Sequence, residues 1–239
     1  MDRLYKLQLR NLLHSRYFYI CGTFTLIAPL IFFFIRTKIP QESTTIADEA
    51  ISGLQGMGSL IMIIIVVLFV CQEFEDGTAK NIIARGYSRR QLLITKYLVS
   101  LFGILIISVL SAAISSILSL NQPVGDLEKF LLFLPAFLVT TAASVSLYTA
   151  IAYYLESKGA SITACLITPN VISLILLFIQ THFKIKTNLS NYWVEGLIGL
   201  IDLNHITITS LVKVGIVSLI YIIGLLGITV FLTRKKEVK

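Results

Sequence analysis

The sequence predicts an all-α integral membrane protein, and three observations carry that prediction. Hydrophobic residues make up 56% of the chain and charged residues 14%, against roughly 25% charged in an ordinary soluble domain; the mean hydropathy is +0.84. Six apolar windows, 17–35, 53–70, 92–120, 130–154, 160–179 and 211–232, approach the ~20 residues an α-helix needs to cross ~30 Å of hydrocarbon. Finally, placing both termini on one side of the bilayer gathers fourteen of the twenty Lys and Arg residues there, which makes that side the cytoplasm. The expectation is a multi-pass protein of the plasma membrane with both ends inside. Its formal charge of +7 then reports topology and attraction to anionic lipid, and does not point to nucleic acid.

Residues 1–16 carry Leu4, Tyr5, Leu9, Leu12 and Leu13 with basic residues between them, a pattern that suits a helix lying in the membrane interface before the first span. The apolar run that follows is too long for a signal-peptide core and lacks a small-residue cleavage pattern. The loop from Arg36 to Ser52, with Pro40, Glu42, Asp48 and Glu49, reads as a solvated connection. Gly53, Gly56 and Gly58 at the head of the second window permit close helix approach; they do not form a nucleotide loop, since no strand precedes them and no Gly-Lys pair occurs in the chain.

Residues 71–91, with the Lys96 that follows, form a charged island between apolar runs. Lys80, Arg85, Arg89, Arg90 and Lys96 stand there with Glu73, Glu75 and Asp76. Gly77 can take the positive φ that ends a preceding helix. Thr78 suits the N-cap of a short helix carrying Ile82 and Ile83, which Gly86 closes. Ser88 and Gln91 have capping-box spacing with Tyr87 and Leu92 at the staple positions, so a new helix starts at Ser88. The segment predicted is long helix, short helix, long helix.

The third and fourth windows are rich in small and hydroxylated residues, Ser108, Ser111, Ala112, Ala113, Ser115 and Ser116, then Thr140, Thr141, Ala142, Ala143, Ser144 and Ser146, which mark tightly packed helix faces; a weakly polar substrate path or a subunit seam is the other reading. Pro29, Pro135 and Pro169 fall inside windows and are tolerable where neighbours re-satisfy the freed carbonyls. Glu156 to Gly159 is a brief inner turn. The outer segment 180–210 contains Tyr192 to Ile201, too short to cross and too apolar for water, which predicts a re-entrant or interfacial element with Trp193 as an interface anchor.

Signals for catalysis are missing. Cys21, Cys71 and Cys165 have no CxxC spacing, the three histidines are isolated, and neither HExxH nor GxSxG occurs, so no metal site and no enzyme are expected. No ionisable residue is expected deep in the windows either, which argues against an ion-coupled carrier. Any uphill transport must then draw its energy through the island.

Six windows, an interfacial helix before the first, and an inner segment reading E-x-x-x-G-T, an apolar patch, S-R and a later Lys (Glu73, Gly77, Thr78, Ile82, Ile83, Ser88, Arg89, Lys96) together resemble the permease subunits of type 2 ABC transporters. Many members carry a Pro just before the S-R pair, where this chain has Gly86 and Tyr87. The resemblance implies that the short helix couples to a separate ATPase through Glu73, Gly77, Thr78, Lys80, Ile82, Ile83, Arg85, Ser88 and Arg89. It also implies two ATPases, a second permease that is identical or homologous, ATP held only by the ATPases, and an outer re-entrant element near Trp193. An amphipathic peptide, antimicrobial or drug-like substrate is the expectation. The alternative is a non-transporting assembly or sensory protein that binds a cytosolic partner through 71–91.

Overall fold

The computed structural model of the chain describes residues 2–38, 46–119, 124–185, 187–200 and 207–233. Among them every regular element is helical: α1 (Asp2–Leu13), α2 (Arg16–Lys38), α3 (Ile46–Glu75), α4 (Thr78–Ala84), α5 (Arg89–Ser119), α6 (Val124–Leu155), α7 (Lys158–His182) and α8 (Ile208–Thr233), with two 3₁₀ segments, Leu189–Tyr192 and Val194–Leu200, before α8. An α-helix satisfies its own backbone groups, which is what a chain this apolar requires in lipid. Five helices hold stretches long and apolar enough to cross a membrane: Gly58–Glu75, Arg89–Ser115, Phe133–Leu155, Lys158–His182 and Ile208–Thr233. The sixth window, 17–35, falls on α2, where Arg16–Ile31 is apolar but shorter.

Helix ends differ from the windows because hydropathy does not register hydrogen bonds. The loop expected over 36–52 is already helical from Ile46, and α3 continues past Val70 to Glu75. Residues 39–45 lie outside the described residues. With α5 starting at Arg89, the island leaves the long helices only over residues 76–88.

α6 is the central helix and packs against α3, α5, α7 and α8. The small and hydroxylated positions allow this: Ala143, Ser146, Thr149 and Ala152 are completely buried, and on α5 Ser111, Ala112 and Ser115 are buried as well. α7 lies at the periphery, with 6% of its apolar stretch buried. Pro29 sits inside α2 and removes the N–H that would bond the Thr25 carbonyl. Ser111 of α5 donates its hydroxyl to that carbonyl at 3.2 Å, so a neighbouring span repairs the break.

α1 packs against α5. Leu4, Gln8 and Leu12, spaced one helical turn apart, are buried in that contact, while Leu13 and the basic residues Arg3, Lys6 and Arg10 are exposed. Of the leucines expected on the interfacial face, Leu4 and Leu12 pack on the protein, and a glutamine shares their face.

The 3₁₀ segments lie on the bundle through Val194 and Leu197, both essentially buried, against α6 and α8. Trp193 meets the ring of Tyr221 edge-on at 5.9 Å, and the Tyr221 hydroxyl donates to the Tyr192 carbonyl at 2.9 Å. A Cβ on Gly196 would collide with the carbonyl oxygen of Ser190, so the close approach of the second segment to the first requires glycine there. Trp193 thus packs within the protein.

Candidate functional site

The end of the bundle that carries α4 holds the island residues. α3 ends at Glu75, and two residues on Gly77 takes the left-handed conformation at φ 67°. Thr78 does not cap α4; its hydroxyl donates back to the Glu73 carbonyl at 3.4 Å and so closes α3, while Gly77 occupies the N-cap position. α4 ends with Arg85 and Gly86, whose N–H groups donate to Ile82 at 3.2 Å and Ile83 at 2.9 Å, and Gly86 turns the chain at φ 90°. The capping box is present in both directions: the Ser88 N–H donates to Gln91 Oε1 at 2.9 Å, and the Gln91 N–H donates to Ser88 Oγ at 3.2 Å. Tyr87 and Leu92 both join the core cluster.

α4 therefore has two unlike sides. Ala79 and Ile82 are buried against the bundle, while Lys80, Asn81, Ala84 and Arg85 face out and Ile83 is half-buried. Ile82 and Ile83 do not stand out together as the sequence suggested: Ile82 lies with Ala79 on the buried side, and Ile83, about 100° further round the helix, is only half-buried.

Glu73 also turns inward. Its carboxylate is 3.2 Å from Lys96 Nζ, with both side chains buried, and it accepts from Gln8 Nε2 at 2.7 Å and Asn11 Nδ2 at 3.5 Å. Lys96 donates to the Phe69 carbonyl at 3.0 Å and lies 4.6 Å from the centre of the Phe69 ring. This network joins α1, α3 and α5 at the root of the α4 hairpin. Lys96, two turns into α5, is completely buried.

Two further ties surround the hairpin. Glu75 accepts the Lys158 N–H at 2.6 Å and pairs with Lys158 Nζ at 3.0 Å, placing a carboxylate at the N-terminus of α7, where the helix dipole favours it. Arg89 is half-buried and donates from Nη1 to the Thr233 carbonyl at 3.3 Å, at the last residue of α8. Its own carbonyl accepts from the Tyr153 hydroxyl at 2.9 Å.

Of the nine candidate residues, Thr78, Lys80, Arg85 and Ser88 are exposed together, Gly77 and Ile83 lie at the margin, and Glu73, Ile82 and Arg89 brace the hairpin from within. Sequence reading missed Gln8, whose only signal was a polar residue one turn from Leu4 and Leu12. It also missed Glu195, a lone acid in an apolar decapeptide. The Tyr148 hydroxyl donates to the Glu195 carboxylate, and Glu195 lines a cavity between α2, α3, α5 and α6.

A family model described as ABC-2 family transporter protein matches residues 10–180. That range contains α2 through most of α7, with the whole α4 hairpin and the Glu73–Lys96 pair, and stops short of the 3₁₀ segments and α8. No curated protein and no solved structure matches the chain.

Proposed function

Because this chain belongs to the ABC-2 family of transporter proteins, we propose that it is the membrane-spanning permease of an ATP-driven exporter whose ATPase is a separate subunit. α2 supplies a sixth crossing, both termini lie in the cytoplasm, and α4 is the coupling helix seated in a groove of the ATPase. Two ATPase subunits and a second permease, identical or homologous, complete the complex in the plasma membrane. ATP stays on the ATPases, so this chain holds no cofactor and catalyses nothing. The cargo is an amphipathic peptide, antimicrobial or drug-like molecule.

The two-sidedness of α4 carries this reading. A helix of seven residues has no stability of its own in water. It is held on one side by Ala79 and Ile82 and offers Lys80, Asn81, Ala84 and Arg85 on the other. A partner gripping that free side moves α3 and α5 together, since the Glu73–Lys96 pair joins their ends. ATP binding draws the two ATPases towards each other, and the pair of spans tilts as one lever.

The test is co-purification of this chain with its ATP-binding-cassette partner. Charge reversal at the exposed positions, Lys80→Glu with Arg85→Glu, is expected to abolish association and leave membrane insertion intact; an unchanged complex would overturn the docking assignment. Ile82→Asp is a poorer probe, because it places a charge in the protein's own core. Comparing toxin or drug susceptibility of cells with and without the gene tests the cargo.

A further inference from the structure

The cavity beside Glu195 has a volume of about 70 Å³, room for a small polar group and not for a whole peptide. Its chemistry is weighted towards acceptors. Thr25 spends its hydroxyl proton on the Cys21 carbonyl at 2.9 Å, and Thr140 and Thr141 spend theirs on the Phe137 carbonyl at 3.0 and 2.7 Å. A hydroxyl has one proton to donate and two lone pairs, so each of these three lines the cavity as an acceptor. Glu195 adds a carboxylate. One of its oxygens accepts from Tyr148, and among the described residues no basic side chain pairs with it. The remaining wall is apolar, with Ile65, Ile107 and Phe137.

We infer that this cavity is a binding site for a primary ammonium group on a short alkyl stem, the charged end of the amphipathic cargo. An ammonium has three N–H donors and no acceptor, the complement of three threonine hydroxyls and a carboxylate that present lone pairs, and the Ser108 and Ser144 hydroxyls can turn lone pairs to it as well. It also brings the positive charge that a half-buried carboxylate lacks. The stem lies along the isoleucines and Phe137, as Lys side chains lie along apolar surface. The inference rests on the permease reading for the identity of the cargo, whereas the site itself is a property of this chain alone.

The single tryptophan of the chain, Trp193, stands two residues from Glu195 and serves as the reporter. The permease, purified without ATPase into phosphatidylcholine nanodiscs, is titrated with n-propylammonium while Trp193 fluorescence is followed. A saturable change is expected, with affinity at least about tenfold weaker in Glu195→Gln, the range for a charge-assisted hydrogen bond. Thr141→Val, which keeps the shape and removes an acceptor, is expected to weaken binding a few-fold. Equal responses to n-propanol, or equal affinity in wild type and both variants, would overturn the site. Saturation by sodium ion at the same concentrations would overturn its assignment to an organic ammonium. Because no ATPase is present, failure here leaves the docking of α4 untouched, and failure of docking leaves this titration unchanged.

Discussion

Lys96 Nζ of α5 lies 3.2 Å from Glu73 Oε2 of α3, and neither side chain is more than 8% exposed. Removing one partner leaves the other charged and buried, which costs about 3–5 kcal/mol. Glu73→Gln and Lys96→Met are each expected to lower the unfolding temperature of the purified permease sharply. The double variant keeps an acceptor for Gln8 Nε2 and buries no charge, so it should recover most of the loss. Additive losses in the double variant would show that the two residues do not act as a pair.

Gly77 tests the turn. A Cβ there meets nothing within 4 Å, yet φ is +67°, so any penalty is conformational. An L-residue in the left-handed region costs roughly 1–2 kcal/mol. Gly77→Val, β-branched, should reduce coupled transport more than Gly77→Ala, and Gly77→Asn should come close to wild type because asparagine tolerates this region. Transport rates that ignore this order would remove the turn from the coupling path.

These two sites mark what the sequence made legible. The glycine turn, the short helix and the reciprocal Ser88–Gln91 cap follow from local chemistry, where the partners are neighbours in the chain. Five of the six windows coincide with helices apolar enough to cross, because length and hydropathy are summed over many residues. The network at the hairpin root is different: Gln8, Glu73 and Lys96 are separated by 65 and 23 positions, and only packing of α1 on α5 brings them together. Which isoleucine of α4 faces inward was likewise hidden, since it depends on where the bundle lies and not on the helix itself. Glu195, in an apolar decapeptide, carries no local mark in the sequence that it reaches a cavity lined by α2, α3, α5 and α6.

Glu195 gives a pH dependence with a definite sign. Burial pushes its carboxyl above the ordinary value of 4.5, with Tyr148 of α6 and Cys165 of α7 as the titratable groups facing it. The folded chain therefore binds this proton more tightly than the unfolded chain. Its stabilising contribution is complete below 4.5 and is lost as pH rises from there through the folded value. The unfolding temperature of the unliganded permease should fall over that window relative to Glu195→Gln, which has nothing to titrate. A wild-type advantage that grows with pH would contradict the burial of this carboxyl.

Ser111 and Pro29 offer the sharpest separation of cause from correlation. Ser111 is completely buried, and its hydroxyl bonds the Thr25 carbonyl that Pro29 leaves without its helical partner. Ser111→Ala should destabilise the permease by about 0.6 kcal/mol and at most ~1.7, the measured span for hydrogen bonds between membrane helices. Pro29→Ala restores an N–H aimed at the same carbonyl, so in that background Ser111→Ala should cost much less. The coupling between the two substitutions, read from unfolding of the four variants, isolates the repair from any general loss of packing. Equal costs in both backgrounds would mean that the hydroxyl serves packing alone and that α2 tolerates its proline by some other means.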